Sequence, residues 1–420
     1  MGSSAINLAG PLGPEQFRNK LINGDFTFWQ RGTSDTQGPA SAGAAVSSFG
    51  LTFVSDRWFS NSNVANGFAG GTASVPRVRF DRQGFTMGQP SLSDVGGSQY
   101  FMRTTIGAAD GTGVVGVLGG SMDIGNAYLQ VGQHIEANDL GEWSGKTVWL
   151  SFLAKSFGNI THPTIGCRIG IRPDHNTTLT GEDVWPDSMT GVTAAITSDG
   201  NNGFNRSSNI PGDNINLTPV WQKFKRKFIL PEFTSGVTQG TDGVSSVSPF
   251  FTLACGPSGP GEYISKSQVT DYLGLTSGFT GAFDVAQVQL EIGNDVSPFE
   301  KRHPQVELGM CQRYYQKSYN SDIFPGTASD YGAKNQTSTQ DASIPKFLTN
   351  MFQSPLRTTP TVTIYAPKTG TINKLTRSWN SGGIDTPSTV YNVGEHAFYI
   401  SSTNDAEGLY HWQFTADAEL

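Results

Sequence analysis

Two short stretches place an indole beside hydrogen-bonding side chains: Trp185 between Asp183 and Asp187, and Trp379 next to Asn380 and close to Arg377. An indole face stacks on the CH groups of a pyranose while carboxylate, amide or guanidinium groups take its hydroxyls, so both stretches read as sugar-binding candidates. Core packing is the competing reading. It is the default for Trp29, Trp58, Trp149, Trp221 and Trp412, which lie in strand-like text.

Carboxylates offer a second chemistry, because glycoside hydrolysis needs only two of them about 5–10 Å apart. Glu136, Asp139 and Glu142 form one loop group, and Glu182, Asp183 and Asp187 another. Capping and solubilising a turn is the commoner use of such residues. Nucleophilic and metal chemistry have less behind them: no Gly-x-Ser-x-Gly elbow falls at a strand-to-helix turn, and the six histidines form no His-Glu-x-x-His pair. The chain therefore reads as a binder rather than an enzyme.

What must position these residues is a set of strands. Only 15% of the 420 residues are charged, Gly numbers 51 and Phe 26, and the Ala/Leu/Glu/Lys runs of helical proteins are missing. The net charge of −7 is spread out, and the one dense basic cluster, Lys223–Lys227, alternates with Phe224 and Phe228 as a strand with one solvated face would. Nucleic-acid binding is not expected. Neither is membrane insertion or a signal peptide, so the reading is of a protein made in the cytoplasm. Cys167, Cys255 and Cys311 are too scattered for a disulfide framework or a zinc site.

Residues 1–20, with Gly10-Pro11 and Gly13-Pro14, read as an extended arm, and Leu21–Trp29 and Ser55–Phe59 as strand starts. Further strands are expected at Arg77–Asp81, Gln99–Ile106, Ala127–Ile135, Thr147–Lys155, Thr164–Arg172, Trp221–Leu230, Ser248–Ala254 and Ala282–Leu290. The spacing of Val306, Met310 and Tyr314, behind Pro304, predicts one helix over Pro304–Tyr315, and its apolar residues on more than one side ask for two neighbours. A second β region follows. The fold class is mainly β: a jelly-roll β-sandwich over 21–300, a helical linker over 301–318, and a second, smaller β-sandwich domain over 319–420.

Asn23-Gly24-Asp25-Phe26 with Trp29, the strands Val148–Phe152 and Trp221–Phe224, and the closing Phe283–Glu291 resemble jelly-roll carbohydrate-binding modules of the galactose-binding-like class. Ala286–Gly293, Ser297–Arg302 and Glu307–Ser318 resemble the junction of bacteriophage tail-fibre and related virion structural proteins, and Pro355–Val362 and Phe414–Leu420 are similar to the domain that follows it. The resemblance implies a tail fibre or spike on the virion surface, and three copies packed about an axis would supply the helix with its two neighbours, so a homotrimer is expected. Its arm would dock on other virion proteins and its distal domain would contact host-surface glycans. It also leaves room for a head fibre, decoration or adaptor protein, and for a glycan-degrading tailspike. No cofactor is required, but modules of this kind often hold a structural Ca2+, for which Asp25 and Asp284 fall at the matching places.

Overall fold

The computed structural model describes residues 17–37, 48–64, 78–86, 97–106, 127–136, 142–157, 164–172, 197–198, 214–230, 246–255, 281–339, 346–378, 383–402 and 407–419. Residues 1–16, Asp183, Trp185, Asp187, Trp379 and Asn380 lie outside them.

Period-two alternation builds the first unit, a pair of antiparallel sheets. In spatial order the first sheet runs β1 (Ser34–Gln37), β4 (Val78–Gly84), β5 (Tyr100–Ile106), β14 (Gly281–Ile292), β8 (Thr147–Phe157), β12 (Gln222–Ile229) and β10 (Thr197–Ser198). The second runs β11 (Asn214–Asn216), β9 (Thr164–Arg172), β13 (Ser246–Cys255), β6 (Ala127–Gly132), β3 (Trp58–Val64) and β2 (Ser48–Ser55), with β7 (Ile135–Glu136) also on β13. Phe80, Met102, Phe152 and Phe283 of one sheet meet Ile165, Cys167, Ile169 and Phe251 of the other in a single core. Phe152 and Phe251 pack edge to face across it at 4.8 Å.

The stretch Leu21–Trp29 is not a strand. It is a turn, with Asn23 and Phe26 at φ 57° and 55°, because Asn23 supplies locally what a ladder would. Its Nδ2 donates to the carbonyls of Phe28 and Asp56, and its Oδ1 accepts from the Phe28 amide. Gly24 lies so close to β14 that an added Cβ would sit 2.1 Å from the Val288 carbonyl oxygen. A register shift in β14 between Ala286 and Gln289, with Gln287 at φ 51°, keeps Val285 and Val288 both facing the core. Arg18, Asn19 and Lys20, read above as part of the arm, are bonded into the first unit: Asn19 Oδ1 accepts the Leu21 and Leu290 amides, and Lys20 donates its amide to the Leu290 carbonyl.

Helix α1 (Pro304–Gln312) starts where expected, with Pro304 at its head and His303 Nδ1 accepting the Gln305 amide, and ends three residues sooner. Its own chain supplies its neighbours: Ile22 and Phe28 pack with Met310, Cys311 and Tyr314. No helix among the described residues is long and apolar enough to cross a membrane.

The second unit centres on β23 (Gly408–Asp417), which pairs with β15 (Tyr315–Lys317), β16 (Lys334–Ser338), β18 (Thr361–Tyr365) and β19 (Lys374–Ser378), while β20 (Ile384–Pro387) extends β19. A separate sheet of β17 (Lys346–Met351), β22 (Ala397–Ser402) and β21 (Thr389–Tyr391) closes over it. Leu348, Phe398, Ile400, Tyr410, Trp412 and Phe414 form the second core.

Candidate functional site

The outer face of the three-stranded sheet carries the binding geometry. Along β17, Leu348 and Asn350 turn inward and Phe347, Thr349 and Met351 outward; Tyr399 of β22 and Thr389 and Tyr391 of β21 share that outer face. Tyr399 is the central residue, in register with Thr349 on one side and Tyr391 on the other. Directly opposed residues hold their Cβ atoms about 5 Å apart, so the two tyrosines are cross-strand neighbours on this face. Tyr399 is 40% and Tyr391 46% exposed, against 61% for Phe347 and 72% for Met351. None of the outward positions of these three strands is charged. Such a face can stack on the apolar side of a sugar while phenol and threonine hydroxyls meet its hydroxyl groups. The sequence reading missed it: Lys346–Met351 is absent from the strands expected above although Pro345 and Ser354-Pro355 bracket it, and single exposed tyrosines carry no spacing signature.

A buried polar joint connects the two units. Arg57 of the β2–β3 turn is 1% exposed; it donates to a Glu419 carboxylate oxygen and to the His134 carbonyl, and lies 3.4 Å from the centre of the Tyr314 ring. Arg31 lies 3.7 Å from the Tyr315 ring centre and pairs with Asp417 at 3.0 Å and Glu419 at 3.3 Å. Glu136, one of the candidate loop carboxylates, meets Arg313 at 3.1 Å and Arg357 at 3.5 Å, and Arg357 in turn donates to the Ala418 and Glu419 carbonyls. Burial pushes the Asp56 carboxyl up, opposed by Arg31, and it accepts Gln30's amide and side chain at 3.0 and 2.8 Å. Gln30 also reaches the Tyr315 carbonyl, so the polar network runs from one unit into the other.

Beside the joint is a small cleft of about 100 Å3 lined by Asp25, Thr27, Phe28, Phe299, Lys301 and Glu307, among others. Glu307 in its wall is buried and accepts from the Asn23 amide and from Arg302; desolvation pushes its carboxyl above the ordinary range. It is held as a structural acceptor.

Asp25 and Asp284 are not brought to one centre. Asp25 lines the cleft and accepts the Thr27 amide at 3.3 Å. Asp284, fully buried in β14, is gripped by Arg103 through both oxygens at 2.7 and 2.8 Å, with Lys155 at 3.5 Å. Two protein cations already occupy the lone pairs a Ca2+ would need, so these residues do not fit a shared calcium site, and among the described residues no group of three or more His, Cys, Asp or Glu could hold a metal. Of the sugar-binding candidates only Arg377 is described: it sits in β19, in register with Ile384 and Tyr410. Glu142 pairs with Lys20 at 2.8 Å.

Lys317, next to the joint, gives a pH signature. Burial lowers its ammonium from 10.5 to about 8 although Nζ donates to the Ser321 and Ile323 carbonyls at 3.2 and 2.7 Å. Between those two values the unfolded chain binds a proton that the folded chain does not, so stability rises with pH. Tyr314 and Tyr319, pushed up to about 12 by burial, act oppositely above 10, where the unfolded chain loses phenol protons first. Denaturant midpoints are expected to climb above pH 8, peak near 10 and then fall. In Lys317→Met the climb should vanish and the fall remain.

The chain matches no protein-family model and no curated protein. Among solved structures it is similar to the enzymatically active domain of tailspike protein 4 from Bacteriophage CBA120, at 10% identity and a TM-score of 0.27 over 67% of this chain and 22% of that one. It thus spans about a fifth of that domain. It is also similar to a putative sugar binding protein from Bacteroides thetaiotaomicron (11% identity, TM-score 0.29, 66% of this chain, 100% of that one) and to a family 11 carbohydrate-binding module from Clostridium thermocellum (13%, 0.24, 59% and 98%).

Proposed function

We propose that this protein is a non-catalytic attachment component of a bacteriophage virion, a fibre or spike, whose three-stranded distal sheet binds a host-surface glycan. The observation that carries this reading is the uncharged outer face on which Tyr391 and Tyr399 are cross-strand neighbours, half exposed, above a packed core. The resemblance of its junction and distal motifs to tail-fibre proteins supports the virion setting. A trimer would multiply weak sugar contacts through avidity.

A purely structural role, as a head fibre, decoration or adaptor protein, is favoured by one feature of the same face. Phe347 and Met351 are its most exposed members and offer no hydrogen-bonding group, which suits a protein neighbour. A glycan array probed with the intact chain separates the two readings. Tyr391→Ala and Tyr399→Ala are each expected to weaken glycan capture by about tenfold, in line with the value of a lost aromatic contact, with the melting temperature unchanged. Signal that persists in the double variant, or its absence from the unaltered protein, overturns glycan binding by this face.

A further inference from the structure

The outer face of the first sheet of the body has a different character. Along β12, Phe224 and Phe228 pack toward the core, which sends Lys223, Lys225 and Lys227 to the opposite face at intervals of about 7 Å. Their partners across the ladder are Leu153, Ser151 and Trp149 of β8. Rings and cations interleave there: Lys225 Nζ lies 5.2 Å from the Trp149 ring, Lys155 Nζ 5.3 Å from Trp221, and the Arg103 guanidinium 3.7 Å from Phe157, which is 49% exposed.

The acids of this face are largely spoken for. Asp284 is closed off by Arg103 and Lys155, and buried Glu291 accepts from the Ser297 amide and hydroxyl and from Gln289. Asp295 pairs with Lys225 at 3.2 Å, and Arg18 approaches Glu291 at 3.6 Å. Lys223 and Lys227 have no ion-pair partner among the described residues. The indole N–H groups of Trp149 and Trp221 are buried without an acceptor. A chain of net charge −7 thus presents a locally cationic strip backed by aromatic rings.

We propose that this strip is a second binding surface, for a linear polysaccharide bearing carboxylate groups. A row of long, flexible ammonium side chains suits a polymer with carboxylates repeated along its length, since no single fixed spacing has to be met. A nucleic-acid duplex, with one charge per ~1.7 Å, calls for a denser field of cations than three lysines and would meet repulsion from the rest of the chain. Phe157, half exposed beside Arg103 and Lys155, offers a ring to the sugar CH groups, which a bare lysine strip would lack. The surface is independent of the distal face, so a polymer could be held along the body while the tip engages another sugar.

The test is affinity electrophoresis of the intact chain through gels carrying polygalacturonate, neutral dextran or duplex DNA. Retardation is expected with polygalacturonate alone, fading as salt is raised. Lys223→Gln with Lys227→Gln should weaken it by about tenfold without moving the melting temperature, Lys→Arg at both positions should restore it, and Tyr399→Ala should leave it unchanged. Equal retardation by dextran, equal or stronger retardation by DNA, no retardation by polygalacturonate, or an unaffected double Gln variant each overturns the proposal.

Discussion

Replacing Glu419 by alanine should lower the unfolding free energy by about 3–5 kcal/mol, one of the two largest effects expected of any single side chain here. Arg57 is 1% exposed and Arg31 lies against Tyr315, so removing the carboxylate strands one guanidinium wholly inside the joint and weakens the hold on another. Neither arginine can shed its proton to escape the cost. Glu419→Gln, which keeps the acceptor oxygen, should lose less. Asp295→Ala is the internal control, because its pair with Lys225 stands in solvent and its loss should leave the urea midpoint in place. A Glu419→Ala midpoint no lower than that of Asp295→Ala would refute the buried-joint account.

Asp284→Ala carries the second large effect, about 3 kcal/mol, toward the low end of what breaking a buried pair costs. The discount arises because Arg103 and Lys155 retain some solvent, at 18% and 14% side-chain exposure, and Arg103 keeps its contact with Phe157. Asp284→Asn should recover part of the loss by accepting one guanidinium bond. Adding a chelator to the unaltered protein should leave its melting temperature where it was, since the carboxylate's counterions are side chains. A chelator-induced drop comparable to that of Asp284→Ala would show that a metal, and not Arg103, neutralises this carboxylate.

How much of this could be read from the sequence depends on how local the cause is. The alternation of Ile165, Cys167 and Ile169 gave β9 its bounds, and Pro304 gave α1 its first residue, because each signal spans a single element. The helix ends at Gln312 because the Arg313 and Tyr314 carbonyls accept the Arg357 and Ala418 amides and Tyr315 enters the ladder to β23, partners that no local pattern announces. Trp149, read as core from its strand text, is buried at 8% exposure but on the outer side of the sheet under Lys225, since the parity of β8 is set by Leu150 and Phe152. Short polar strands such as β16, Lys334–Ser338, have no alternation to read and exist because β23 offers them a ladder. Arg57 and Glu419 are 362 residues apart, and a buried ion pair of that separation leaves no trace in spacing.

Strand β23 pairs with β15, β16, β18 and β19, all of which precede it in the chain. During synthesis on the ribosome those four strands must therefore wait for this partner until β23 has left the exit tunnel, although β19 can already pair with β20. Their shared ladder closes late, in one step, and only then can Glu419, two residues beyond β23, reach Arg57. A nascent chain stalled before Gly408 would hold a first sandwich beside a second unit whose outer sheet can pair but whose central ladder cannot. Such an intermediate exposes strand edges, which makes the interval before β23 emerges the period in which chaperone protection matters most for this protein.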